Sequence, residues 1–235
     1  MLPILKPEDF TGVLQIADAL GDITEDRFAE YITKYEEIYL RKVLGVKGYI
    51  DIRDQVTLDP KYTDFIDGVD YTDIDGDLAI NKGFKSVLGQ YIYYHYVAEN
   101  WVNTQTGNAS NINANTDSVS DGVNRQIVFN EYNYGIDIYN KDVWPFLDNY
   151  KEISNTIDSS VDNGGGSYTI NLTDTTYLVD GDTVTINGIE YIVSSVVVNT
   201  SFDISGAALS LDFAGEGVIW EPFKDICKVN FKYNW

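Results

Sequence analysis

One histidine, His95, and one cysteine, Cys227, are the only side chains of their kinds in this 235-residue chain, so any nucleophile–base pair built on histidine or cysteine must draw on them. A Ser-His-Asp arrangement would need His95 as its base. That histidine lies inside the aromatic run YIYYHYVAENW, where the plainer reading is a packed, hydrogen-bonded side chain. No Gly-x-Ser-x-Gly elbow is present, and GGGS at 164–167 lacks the lysine and following helix of a phosphate loop. A lone histidine without a spaced second one makes a poor zinc site, and one cysteine leaves no intrachain disulfide. Paired carboxylates are the remaining option, as in glycoside cleavage. With 37 acidic residues some pair always lies close, so their presence carries no weight. The chain is expected to be non-enzymatic and to need no cofactor or metal.

The sharpest metal hypothesis is the acidic stretch VDYTDIDGD, with five aspartates from Asp67 to Asp77. With Gly76 at the sixth position of a calcium loop, Tyr71 falls at the first and Lys82 at the twelfth, where acidic ligands are required. The pattern fails at both ends, and a solvated acidic turn is the expectation.

These residues must be held by an aromatic helical framework. From Lys82 to Asn108, Phe84, Val87, Leu88, Tyr91, Ile92 and His95 recur at three- and four-residue spacing and share one helix face. Tyr93, Tyr94 and Tyr96 fall partly off it, so aromatic surface wraps most of the cylinder and needs cover on nearly all sides. An earlier helix opens at Asp22-Ile-Thr-Glu25, which has capping-box form, carries Phe28, Tyr31, Ile32, Tyr35, Tyr39 and Val43 on one face, and stops at Gly45. Residues 46–56 read as a short helix or irregular strand, and PKYTDFIDG as a helical segment ended by Gly68. A further Tyr-rich helix is predicted from Asp121 to Tyr150, weakened at Gly135 and kinked or broken at Pro145. Between them, 104–122 is a polar, Asn- and Ser-rich loop.

At Ser159 the character changes. SSVDNGGGS reads as a flexible linker, and beyond it period-two alternation with turns at Asp180-Gly181-Asp182 and Asn187-Gly188 signals a small all-β module. The fold class expected is α+β: a helical bundle domain, 1–159 plus 218–235, with an inserted all-β barrel or sandwich at 160–217.

Net charge is −21, which argues against a nucleic-acid-gripping surface and against anionic membranes; no apolar run reaches membrane-spanning length. Solubility alone could explain the acidity; a conduit through which DNA slides without sticking could as well.

The order of elements (a capped helix, LGVKGY, a short helical segment, GFKSVLGQYIYYHYVAENW, TQTGN, then another Tyr-rich helix) resembles the helical head-to-tail connector proteins of tailed bacteriophages, also called portal adaptor, neck or head-completion proteins. It covers roughly 8–151 plus the final segment; the β module departs from the simplest members. The resemblance implies a ring, usually of twelve copies, docked beneath the portal at the capsid vertex, extending the DNA channel and receiving the next neck or tail protein. It implies partners in the portal, that next protein and other copies of the chain, passage of double-stranded DNA without specific binding, assembly in the host bacterial cytoplasm and residence in the virion. By position, the docking tail would be Trp220, Phe223, Lys224, Lys228, Lys232 and Trp235, with the 104–122 loop as a second candidate. Tyr93, Tyr94, Tyr96 and Trp101 would face neighbouring subunits. The rival reading is a virion-associated or surface module recognising a glycan through the β domain, which would need exposed Tyr and Trp there; Ser160 to Asp212 offers three tyrosines, Tyr168, Tyr177 and Tyr191, and no tryptophan.

Overall fold

The computed structural model describes residues 4–14, 22–55, 57–105, 121–206, 212–224, 226 and 228–233; the side chains of residues 13, 22–26, 99–105 and 121–125 fall outside the described set. The chain is α+β and divides into two compact units. Unit 1 comprises Met1–Val56, Tyr62–Phe146 and Cys227–Trp235, and unit 2 comprises Thr57–Lys61 and Leu147–Ile226.

Unit 1 is built on three helices, α1 (Asp22–Asp54), α3 (Phe84–Gln105) and α4 (Asp121–Ile138), with a short helix α2 (Pro60–Asp67) entering it and a hairpin of β1 (Val69–Thr72) and β2 (Leu78–Asn81) between α2 and α3. The apolar spacing dictates which faces meet. Phe28, Ile32, Tyr35, Tyr39 and Val43 of α1 are buried, as are Phe84, Val87, Leu88, Tyr91 and Ile92 of α3 and Val128 and Ile136 of α4. Gly45 breaks α1 with φ 72° and ψ −179°, a conformation glycine adopts without a Cβ penalty, and the helix resumes from Val46 to Asp54. Residues 46–54 are therefore helical. The capping box at 22–25 lies outside the described side chains.

Gly135 is a contact position. A Cβ there would meet Gln90 Cβ and Tyr91 Cε1 at 2.9 Å, so α3 and α4 approach as closely as they do because the side chain is absent. Past Ile138 the helix widens into a π turn, Tyr139–Val143, in which Trp144 N–H donates to Tyr139 C=O, before a last helix, α5 (Trp144–Asn149). Pro145 has no N–H for the preceding turn, and a wide turn there accommodates the interruption.

Unit 2 is one seven-stranded antiparallel sheet, curled into a half-barrel, of β3 (Ile153–Thr156), β4 (Ser159–Gly164), β5 (Ser167–Asn171), β6 (Thr183–Ile186), β7 (Ile189–Val197), β8 (Ser201–Ile204) and β9 (Gly217–Trp220), in the order β3-β9-β6-β7-β8-β5-β4. The sheet starts earlier and ends later than 160–217. SSVDNGGGS is strand β4 and its turn into β5 rather than a linker: Val161 pairs with Thr169 and Asp162 with Tyr168. VIW (218–220), assigned by sequence to the helical domain, belongs to β9, with Trp220 paired to Ile153 and to Val184. The Asn187–Gly188 turn joins β6 to β7 with φ of 52° and 75°, both positive as a tight hairpin turn requires. Inward positions of every strand except β4 converge on one core, centred on Tyr168, Val184, Phe202 and Trp220 and including Ile153 of β3.

Candidate interaction surface

The chemistry-bearing residue of unit 1, His95, is occupied structurally. Its Nε2 shares a 2.7 Å hydrogen bond with the Tyr39 hydroxyl, and its ring stacks on Tyr35 with centroids 4.0 Å apart and planes 8° from parallel. Around this pair the tyrosines form a continuous aromatic seam. Tyr39 contacts Tyr91, Tyr91 contacts Tyr132, and Tyr132 contacts Tyr94, at centroid distances of 4.6, 4.8 and 4.6 Å. Tyr96 sits edge-on between Phe28 and Tyr31. Burial pushes the Tyr39 and Tyr91 hydroxyls well above the ordinary phenol range, with neighbouring tyrosines adding to it. Neither is poised to act as an acid or base near neutrality.

Tyr93, Tyr94 and Tyr96 are each half-buried. Much of their aromatic surface is thus covered within unit 1, and a fraction is left for other contacts. The side chain of Trp101 lies outside the described residues.

The C-terminal stretch departs from its sequence reading. Trp220 and Phe223 are not exposed anchors: both are buried in unit 2, and Trp220 Nε1 donates to Thr176 C=O at 3.0 Å. The alternation of β9 (Gly217 out, Val218 in, Ile219 out, Trp220 in) turns the tryptophan into the sheet core. Lys224 is exposed and pairs with Glu221 at 3.0 Å. Farther on, residues 228–233 pack on unit 1. Val229 N–H donates to the Tyr139 hydroxyl, Phe231 lies among Tyr39, Tyr91 and Tyr139, and the Tyr233 hydroxyl donates to Asp137. Lys228 lies over the Trp144 ring at 5.5 Å, and Lys232 is exposed. Trp235, and most of the 104–122 loop, lie outside the described residues.

One buried carboxyl stands out. Glu36 accepts a 2.6 Å hydrogen bond from Leu5 N–H, and burial pushes its pKa up to about 7 despite that bond and the nearby Lys85. It ties the lead-in segment to α1.

The acidic stretch 67–77 is a hairpin. The Asp73 carboxylate accepts from Asp75 N–H and Asp77 N–H, and its carbonyl from Gly76 N–H, so the turn consumes its own first aspartate. Among the described residues no group of three or more His, Cys, Asp or Glu side chains is placed to hold a metal ion. Sequence reasoning missed what the hairpin exposes instead: Ile74, Leu78 and Ile80 are 91%, 78% and 57% exposed. The alternation in LAIN was the available signal, but the density of aspartates hid it.

In unit 2, Tyr168 and Tyr191 are buried and Tyr177 is half-buried, edge-on to Tyr150 and Phe223. These three tyrosines therefore supply no open aromatic platform for a sugar ring. Among the described residues no helix is long and apolar enough to cross a membrane. Comparison with known protein families, with characterised proteins and with solved structures finds no significant match to this chain.

Proposed function

We propose that this chain is a structural virion protein, a head-to-tail connector whose copies form a ring that joins the portal to the tail and extends the DNA channel. The observation that carries the reading is the aromatic helical unit. Its α1–α3–α4 core is packed by Phe28, Ile32, Tyr39, Leu88, Tyr91 and Ile136, yet Tyr31, Tyr93, Tyr94 and Tyr96 remain half-exposed beside it. Aromatic side chains that present large area at low entropy cost are what subunit seams use.

The element order shared with connector proteins supports the same reading, and the charge of −21 suits a lumen that must not retain DNA. The engagement of His95 with Tyr39 and Tyr35 fits a residue kept for packing rather than catalysis.

Mass photometry and negative-stain imaging of the full chain over a range of concentrations test the ring. A closed assembly of many copies is expected; a chain that stays monomeric at the highest concentrations would overturn the proposal. The same preparation should leave duplex DNA unshifted in a gel at physiological salt, and tight retention would contradict a non-stick conduit.

A further inference from the structure

The hairpin β1–β2 is held stiffly at its base and bare at its tip. At the base, the Asn81 side chain donates to Asp64 C=O at 2.7 Å and accepts from Gly83 N–H at 3.0 Å. Gly68 and Gly83, with φ of 92° and 80°, pack so closely that a Cβ on either would collide with the other's backbone. Tyr71 faces inward and meets Phe146 edge-on. The opposite face carries Leu78 across from Thr72 and Ile80 across from Asp70, with Ile74 in the turn. Three exposed aliphatic side chains on a clamped two-stranded ribbon are a contact surface, not a fraying loop.

Its charge narrows the partner. Between residues 67 and 77 there are five aspartates and no basic residue, so the apolar face is ringed by negative charge. A complementary surface must be aliphatic and positive. In a chain of net charge −21 such surfaces are scarce, and the part of α1 on either side of Gly45, residues 41–54, supplies one. Val46 and Ile50, one turn apart on the same side, are 54% and 38% exposed. Residues 41–54 carry Arg41, Lys42, Lys47 and Arg53 against Asp51 and Asp54. Arg41 and Arg53 are held by Glu37 and Asp54 at its ends, in exposed pairs that are weak and exchangeable.

We propose that the hairpin of one copy docks, through Ile74, Leu78 and Ile80, on the Val46–Ile50 face of α1 in the next copy, with Asp70 and Asp75 facing Lys42 and Lys47. The two surfaces are different, so the contact is heterologous, and its repetition generates a ring or an open filament rather than a closed dimer. The inference rests on the ring reading and names its seam. The C-terminal stretch offers Lys228 and Lys232, but its exposed apolar side chain there is Tyr233, already bonded to Asp137.

The test uses the full chain with Cys227→Ser, so that introduced thiols are unique. Ile74→Cys protein mixed with Val46→Cys protein should give a disulfide-linked mixed dimer under mild oxidation, well above the yield of Ile74→Cys mixed with Tyr233→Cys. Leu78→Asp should weaken self-association by about tenfold or more. Lys47→Glu should weaken it as well, and Asp75→Lys in the same chain should restore it. A ring that forms but gives no Ile74–Val46 disulfide and ignores both charge changes overturns the seam and leaves the ring reading standing. Preferential linkage to Tyr233→Cys does the same. A chain that never self-associates overturns both.

Discussion

The hydroxyl of Tyr39 and Nε2 of His95 meet at 2.7 Å and join α1 to α3 across 56 residues of sequence. About one helical turn earlier on α3, the Tyr91 hydroxyl and Gln90 Oε1 are buried with no hydrogen-bond partner among the described residues. Removing one phenol should therefore act oppositely to removing the other. Tyr39→Phe removes the phenol partner of a half-buried imidazole nitrogen and should cost about 1–2 kcal/mol, whereas Tyr91→Phe removes a desolvated orphan group and should be neutral or stabilising by up to about 1 kcal/mol. Urea unfolding followed by helical circular dichroism separates the two. Equal losses would mean that the Tyr91 hydroxyl has a partner.

Gly135→Ala should destabilise unit 1 by roughly 1–3 kcal/mol, although alanine is the better helix former by about 1 kcal/mol. The added methyl meets Gln90 Cβ and the Tyr91 ring at 2.9 Å, and neither helix can retreat without opening the aromatic seam. The same unfolding measurement decides it. A gain in stability would show that α3 and α4 have room to part.

The helices were legible because their apolar residues repeat at helical spacing over long stretches: Phe28 to Val43 and Phe84 to Ile92 are buried as that spacing demands. The Asn187–Gly188 hairpin was legible because a two-residue turn with both φ positive leaves few residue choices. The edges of the sheet were not. SSVDNGGGS has a linker's composition, yet its strand pairs with β5, and that pairing is decided by β5 and the inward residues beyond it rather than by β4 itself. Trp220 looked like an exposed anchor because an aromatic near a terminus carries no sign of its direction; the register with Ile153 and Val184 supplies that direction. The hairpin's apolar face escaped notice because its aspartates dominate any short window, and one of them, Asp70, lies directly across from Ile80 on that face.

Glu36 should give the stability of unit 1 a specific pH dependence. Its pKa rises from 4.5 to about 7, first through burial, against the pull of the Leu5 and Ile4 amides and Lys85 and with a small push from Asp9. A carboxyl whose folded pKa lies above its unfolded value holds its proton more tightly when folded. Its contribution is therefore complete below about pH 4.5 and is lost as pH rises through about 7. At 1.36 kcal/mol per pH unit the whole window is worth at most about 3 kcal/mol. Urea midpoints across that range should fall more steeply for the native chain than for Glu36→Gln, the difference isolating this group from the general repulsion of an acidic protein. Parallel profiles would place the proton elsewhere.

Lys61 and Asp182 form the ion pair that ties the 57–61 segment to the sheet of unit 2. Their charged atoms are 3.6 Å apart, the lysine side chain is 9% exposed and the aspartate 27%. Burial raises the Asp182 pKa even though Lys61 and the Val179 amide pull it down, so desolvation outweighs the attraction and the pair is poorly balanced. Breaking it should still hurt, because Lys61→Met leaves the carboxylate desolvated without its counter-charge. The expected cost at pH 7 is roughly 1–3 kcal/mol, below that of a fully enclosed pair because Asp182 keeps some solvent. The cost should shrink toward pH 4, where the raised pKa lets Asp182 bind a proton. Combining Lys61→Met with Asp182→Asn should recover much of the loss, since both charges then leave together. A double variant as unstable as Lys61→Met alone would mean that Lys61 acts through the packing of its aliphatic stem rather than through its charge.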